Sequence, residues 1–175
     1  MSTISRQQYD QANNQVKEIW DKQVKTFGKM TNMKKTLAHS HLALRNYMDW
    51  YPMKDAVAQF LGERATIIFV HTLSSETDCL ICSTYFRKTL QEWGENPDDL
   101  SLDEFEEKLV EFARYLVKDA NNVPNELLAN LKAKLSEPEL VLLTAFGGLM
   151  IATNIFNNAL KIDLDEYLYE HKKEG

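Results

Sequence analysis

Cys79 and Cys82 are the only cysteines in 175 residues, and they form a C-x-x-C motif, Cys79-Leu80-Ile81-Cys82. Three positions apart on a helix, two side chains share nearly one face. A free thiol with a pKa near 8.5 is mostly protonated at neutral pH, and only the thiolate attacks a disulfide or a peroxide. A motif at the start of a helix supplies what lowers that pKa: unsatisfied N–H groups and the positive end of the helix dipole. The second sulfur is then placed to resolve an intermediate formed on the first, and either could attack. The competing reading is a pair of inert buried thiols, since free cysteine also packs as a small hydrophobe.

A catalytic dithiol needs a proton carrier, and the preceding segment offers two. His71 lies near the end of its helix, where a cationic imidazole is favoured, although it could equally bond a backbone carbonyl. Glu63 opens the same helix, an ordinary place for a carboxylate; buried beside the thiols, it would have a raised pKa and exchange protons near neutrality. Glu76 and Asp78 read as solvated or capping residues. A zinc site would need two further ligands, and His39-Ser40-His41 has its imidazoles on different sides of a helix, while His171 lies in a charged tail. The dithiol reading requires neither metal nor organic cofactor.

The elements that must position these groups read as helices throughout. Val16, Ile19, Trp20, Val24 and Phe27 recur at three- and four-residue spacing, which predicts an amphipathic first helix with that face docked. A second helical region follows through Leu37, Leu42, Tyr47 and Tyr51, ended or kinked by Pro52, and a further stretch over 53–61 stops at Gly62. The apolar run of 63–73 could be a strand, but with no partner strand in the chain it is read as a helix. Ser74 to Asp78 reads as a polar connection, with Asp78 as N-cap of a helix over 79–93 that closes at Gly94. Ser101-x-x-Glu104 and Ser136-x-x-Glu139 have capping-box form, announcing helices to about Lys118 and over 138–160, and Pro124 opens one between them that runs through Leu135. The expected architecture is a single all-α domain of about seven or eight helices: an amphipathic N-terminal helix over 1–31, a helical domain over 32–168 and a charged tail over 169–175.

Bulk properties narrow the partners. At 44% hydrophobic the chain can bury a core without staples, and at net charge −6, with its basic residues dispersed among carboxylates, it presents no stripe for nucleic acid. The N-terminus is polar, and the longest apolar stretch, Leu140 to Ala152, is broken by Thr144 and Gly147-Gly148. It reads as too short to cross a bilayer, so a cytoplasmic protein without membrane contact is expected, where a C-x-x-C pair points to catalysis or metal binding rather than a permanent staple. Trp20, Trp50 and Trp93 read as packing residues.

The segment Glu63 to Phe86, with Glu63-Arg64, Thr66-Ile67-Ile68, His71 and Cys79-x-x-Cys82, resembles the carboxymuconolactone decarboxylase superfamily, in particular its alkylhydroperoxidase D-like branch. Leu37-Ala38-His39-Ser40 with Tyr47-Met48, and Thr153 to Leu160 with its asparagines, resemble flanking helices of the same family, so that the resemblance covers 32–168. It implies an all-helical fold, a homotrimer or homohexamer, and peroxidase-like or disulfide reductase activity through Cys79 and Cys82, with Glu63 as the family's glutamate. The peroxidase branch has histidines between the cysteines and four residues after the second; here these are Ile81 and Phe86. His71 is a substitute that no family motif supports. The superfamily's decarboxylases need no cysteine pair.

Two functions follow from this reading. In the first, the dithiol reduces a peroxide or small disulfide and an external dithiol regenerates it. In the second, the chain keeps the fold as a binding or scaffold protein, with Ile81 and Phe86 making an apolar pocket that raises the thiol pKa. The acidic segment 163–170, with Tyr167 and Tyr169, is expected to reach a neighbouring subunit.

Overall fold

A computed structural model describes residues 2–173. Among them the chain forms nine α-helices with three short 3-10 turns and no strand. Helix α1 (Asn14–Phe27) is capped by the Asn13 side chain and stopped by Gly28, whose left-handed φ of 76° suits a residue without Cβ. Its buried face is rotated from the expected one: Val16 and Gln23 are buried, whereas Val24 and Phe27 are open. It packs on α3 (His41–Asp49), and Val16 shares a small core with Met30, Met33, Leu37 and Leu44. That core spans both sides of residue 31.

Helix α2 (Asn32–Leu37) is capped by Thr31, and Pro52 falls in the first turn of α4 (Tyr51–Leu61), so it opens that helix instead of ending the one before. Helix α5 (Glu63–Glu76) carries the β-branched run, and it is a helix as expected, three residues longer than read from the sequence. It is the centre of the bundle, packed on α4, on α6 (Leu80–Glu92), on α7 (Glu104–Lys118) and on α9 (Glu137–Ala159). Phe69 is fully buried and stacks on Phe112, and a Cβ built on Gly147 of α9 would lie 2.8 Å from Leu116 and 3.2 Å from Phe69. A glycine there lets α9 approach the α5–α7 pair.

Arg64 fastens the start of α5 to Glu95 and to the buried Glu106 of α7, and donates to the Ser101 carbonyl at 2.9 Å. Glu106 also completes the cap of α7, which is Asp103 with Glu106 in place of Ser101 with Glu104. The box at Ser136 and Glu139 forms as expected. Helix α8 (Asn125–Lys132) stops three residues before Leu135.

Helix α9 has 23 residues and is long and apolar enough, by length and composition, to cross a membrane, although the sequence read its apolar stretch as too short. In the fold it packs on α4, α5, α6, α7 and α8, with Val141 and Ile155 on its open side. Past it, the chain does not extend outward. Ile162, Leu164 and Leu168 are buried, the turn Glu166–His171 lies on α6, and His171 Nδ1 is 2.7 Å from Gln91 Oε1. Three apolar residues at 162, 164 and 168 give this segment a face that it buries on its own chain. Of the charged tail, residues 174 and 175 lie outside the described residues.

Candidate active site

The thiol pair sits where two helices meet across a tight turn, Thr77 and Asp78 with Cys79 as the cap. The N–H of Asp78 bonds the Ser75 carbonyl at 3.1 Å and the N–H of Cys79 bonds that of Ser74 at 3.0 Å. With Asp78 left-handed at φ 51°, these bonds form a Schellman ending of α5. Asp78 is thus the left-handed residue of the helix stop, a role Asp tolerates, and Cys79 is the N-cap of α6 in its place. The expected polar connection over 74–78 shrinks to Thr77 and Asp78.

Cys79 is fully enclosed and Cys82 is 8% exposed; both are free thiols. Three asparagines from the last turns of α9, at i, i+3 and i+4, hold this junction. Asn154 Nδ2 donates to Thr77 Oγ1 at 2.8 Å and Asn158 Nδ2 to the Thr77 carbonyl at 2.8 Å. Between them Asn157 Nδ2 donates to both sulfurs, at 3.6 Å to Cys79 Sγ and 3.3 Å to Cys82 Sγ. The Oδ1 atoms of Asn154 and Asn157 are buried with no partner. The asparagines are thus turned with their N–H groups toward hydroxyl and sulfur. No residue of the sequence pattern named Asn157 as a thiol partner; the N-x-x-N-N spacing on one helix face was the available signal.

The two thiols differ in acidity. The Cys82 thiol, the backbone N–H groups of Cys82 and Ile81, and the Asn157 amide lower the Cys79 pKa to about 7 against its burial, although Cys79 makes no conventional side-chain cap. Cys82 goes the other way, raised by the same S–H···S contact and by burial. Of the two, Cys79 is therefore the sulfur whose ionised form the site favours, and Cys82 the one that keeps its proton longer.

Cys82, and not Cys79, lines a cavity of about 510 Å³. Its walls are largely apolar and aromatic, and include Ile81 and Phe86, the positions where histidines are missing. Phe27, Tyr85 and Trp93, which stand out as large apolar residues open to solvent, all line this one cavity, as does Tyr51, whose ring is partly open while its phenol is desolvated. Trp50 lines it too, so of the three tryptophans read as packing, two are walls of the site. The Tyr51 phenol is raised well above its usual range by burial, with further contributions from Cys82, Tyr85 and Tyr167, and Tyr167 is pushed up to about 12. Both stay neutral donors at any ordinary pH.

Glu63 reaches the same cavity, but as an exposed carboxylate paired with Lys54 Nζ at 2.9 Å and not as a group buried beside the thiols. His71 is not among the cavity's walls. Its charged neighbours are Arg87, Asp98 and Lys173, and burial, aided by Arg87 and opposed by Asp98, lowers its pKa to about 4. It is a neutral imidazole at pH 7. The structure therefore brings Cys79, Cys82 and Asn157 together, leaves Glu63 on the cavity wall and puts His71 outside it.

No protein-family model matches the sequence, and no curated protein sequence matches it. Solved structures do resemble it in shape. One is the alkylhydroperoxidase AhpD core of an uncharacterised peroxidase-related protein from Ralstonia eutropha JMP134, at TM-score 0.78 and 14% identity over 96% of this chain and 94% of that one. Another is the debrominase Bmp8 in its apo form, at TM-score 0.78 and 15% identity over 95% of this chain and 94% of that one. The chain has the alkylhydroperoxidase D-like fold.

Proposed function

We propose that the protein is a dithiol oxidoreductase that reduces a small molecule held in the aromatic cavity, with Cys82 as the attacking sulfur and Cys79 as its base and resolving partner. The observation that carries this reading is the geometry of the pair: Cys82 reaches the cavity, Cys79 is enclosed behind it, and Asn157 Nδ2 donates to both sulfurs, with Cys79 the one whose pKa is lowered. Transfer of the Cys82 proton to Cys79 along their S–H···S contact frees a thiolate facing the substrate. With a peroxide ROOH, Cys82 sulfur attacks the O–O bond and becomes a sulfenic acid, while RO⁻ leaves and takes a proton to become ROH. Cys79, having given its proton to RO⁻, then attacks the Cys82 sulfur as a thiolate, the S–O bond breaks, and hydroxide leaves and takes a proton from solvent to become water. The pair ends as a disulfide, two electrons having passed to the peroxide. An external dithiol returns it to the reduced form. A small disulfide would be reduced through a mixed disulfide at Cys82, resolved by Cys79 in the same way.

Asn157 supports the step at both sulfurs, since its amide stabilises whichever carries the charge. This takes the place of the histidine relay, and it needs no metal or organic cofactor. A thiol near pKa 7 favours catalysis over the binding-protein alternative, which predicts both thiols raised. Assembly as a homotrimer or homohexamer, and a cytoplasmic location, belong to the same proposal. The test follows peroxide- and disulfide-dependent oxidation of a dithiol reductant by the wild type, Cys79→Ser and Cys82→Ser. Turnover in the wild type and its loss in both variants is expected; equal turnover in all three would sink the proposal.

A further inference from the structure

On the wall of the same cavity lies a lysine that the redox chemistry does not use. Lys34, on α2, is only 5% exposed and lines the same cavity as Cys82. A buried ammonium is costly unless it is paired. Here its surroundings are only half satisfied. Lys34 Nζ donates to Gln23 Oε1 at 2.5 Å and lies 4.8 Å from the ring centroids of both Phe27 and Tyr51. Among the described residues no carboxylate comes within ion-pair distance of it. Asp165, also on the wall, attracts it without contact and accepts instead from the Asn32 backbone N–H at 3.0 Å.

The protein goes to some length to keep this cation in place. Gln23 is buried on α1, where the periodicity would have placed an apolar residue, and its partner is Lys34. Desolvation lowers the Lys34 pKa to about 8, which leaves it mostly charged at neutral pH. Two aromatic faces and one amide stabilise a cation without neutralising it, and the Tyr51 phenol, whose ring faces Lys34, also feels the charge of Cys82.

We propose that Lys34 recognises the carboxylate of a small aromatic acid whose apolar body lies along the cavity toward Cys82. This deepens the redox reading and rests on it for the identity of the cavity as the substrate site. The anion completes the shell of the ammonium, and the flat body meets Phe27, Tyr51, Tyr85 and Trp93. Neutral analogues of the same shape lack the group that a buried cation selects, and such unpaired polar groups are the strongest sources of discrimination.

The test is binding of benzoate and 2-naphthoate against benzamide and 2-naphthamide to the reduced full chain, by calorimetry and by quenching of the cavity tryptophans. At least one acid is expected to bind tenfold or more tightly than its amide. Lys34→Met should erase that preference and Lys34→Arg should retain part of it, with circular dichroism confirming the fold of each. Equal binding of acid and amide, no saturable binding of either acid, or an unchanged preference in Lys34→Met would overturn the inference; the wild-type comparison decides alone if the variant fails to fold. Acid preference without dithiol turnover would leave this inference standing and remove the redox reading, and turnover without acid preference would do the reverse.

Discussion

The thiol side and the lysine side of the cavity are built in opposite ways. On the thiol side, both reactive groups lie within four consecutive residues, and one helix start supplies most of what tunes them. On the lysine side, the cation on α2 depends on Gln23 and Phe27 from α1, Tyr51 from α4 and Asp165 from the segment after α9. The thiol side uses hydrogen bonds to stabilise a charge that burial opposes, and brings the Cys79 pKa down to about 7. The lysine side lets burial win, and the pKa falls from 10.5 to about 8. Local geometry makes a reactive anion; scattered packing keeps a poised cation.

The contrast breaks most sharply within the thiol pair itself. Cys82→Ser should lower peroxide consumption by at least about a thousandfold, because Cys82 is the one thiol on the cavity wall. Cys79→Ser should still consume one equivalent and stop at a sulfenic acid on Cys82, detectable by mass spectrometry with a sulfenic-acid reagent. Sulfenic acid on Cys79 in the Cys82→Ser protein would reverse the assigned roles.

Removing Asn157 tests whether the third partner matters. A hydrogen bond to a charged group contributes about 1.5–3 kcal/mol, so Asn157→Leu should raise the thiolate pKa by about one to two units. The pH dependence of alkylation gives it directly, with the wild-type rate rising through about pH 7. Because the folded Cys79 lies below its unfolded value of 9.0, its contribution to stability is complete above pH 9 and lost as pH falls through about 7. The variant should show a weaker dependence over that interval.

On the other side, Gln23→Leu leaves the Lys34 ammonium without its hydrogen bond and should cost about 1–3 kcal/mol in urea unfolding, while the thiol pKa stays where it is. A shift in both would mean that the two sides are coupled through Tyr51, whose phenol feels Cys82 and whose ring faces Lys34.

The same contrast explains what could be read in the sequence. Helices announced by local rules were legible: the Gly28 stop, the box at Ser136 and Glu139, and the helical setting of Cys79 and Cys82. Local rules also misfired where two signals overlapped. Asp78 has the chemistry of an N-cap, but with the chain reversing in two residues the same position must be left-handed, and the cap passes to Cys79. Asp103 outcompetes Ser101 because Glu106 is already held by Arg64. The alkylhydroperoxidase D-like fold was legible through the motif. The lysine side was not, since a lysine at 34 reads as a solvated charge until Gln23, Phe27 and Tyr51 are brought around it. Asn157 was hidden for the same reason, being 75 residues from Cys82 along the chain.

His71 gives the smallest expected effect and the cleanest check on proton transfer. It is lowered to about 4 and its charged neighbours are Arg87, Asp98 and Lys173, none of which lines the cavity. An imidazole that stays neutral between pH 6 and 8 has no proton to give there, so replacing it with Asn should change turnover by less than about twofold across that range. Its effect belongs to stability. With the folded pKa below the unfolded value of 6.5, the unfolded chain takes up a proton first as pH falls, and stability drops between about pH 6.5 and 4. His71→Asn should flatten that part of the unfolding curve. A large loss of turnover at pH 7, with the fold intact, would instead return the proton relay to His71 and remove it from the sulfur pair.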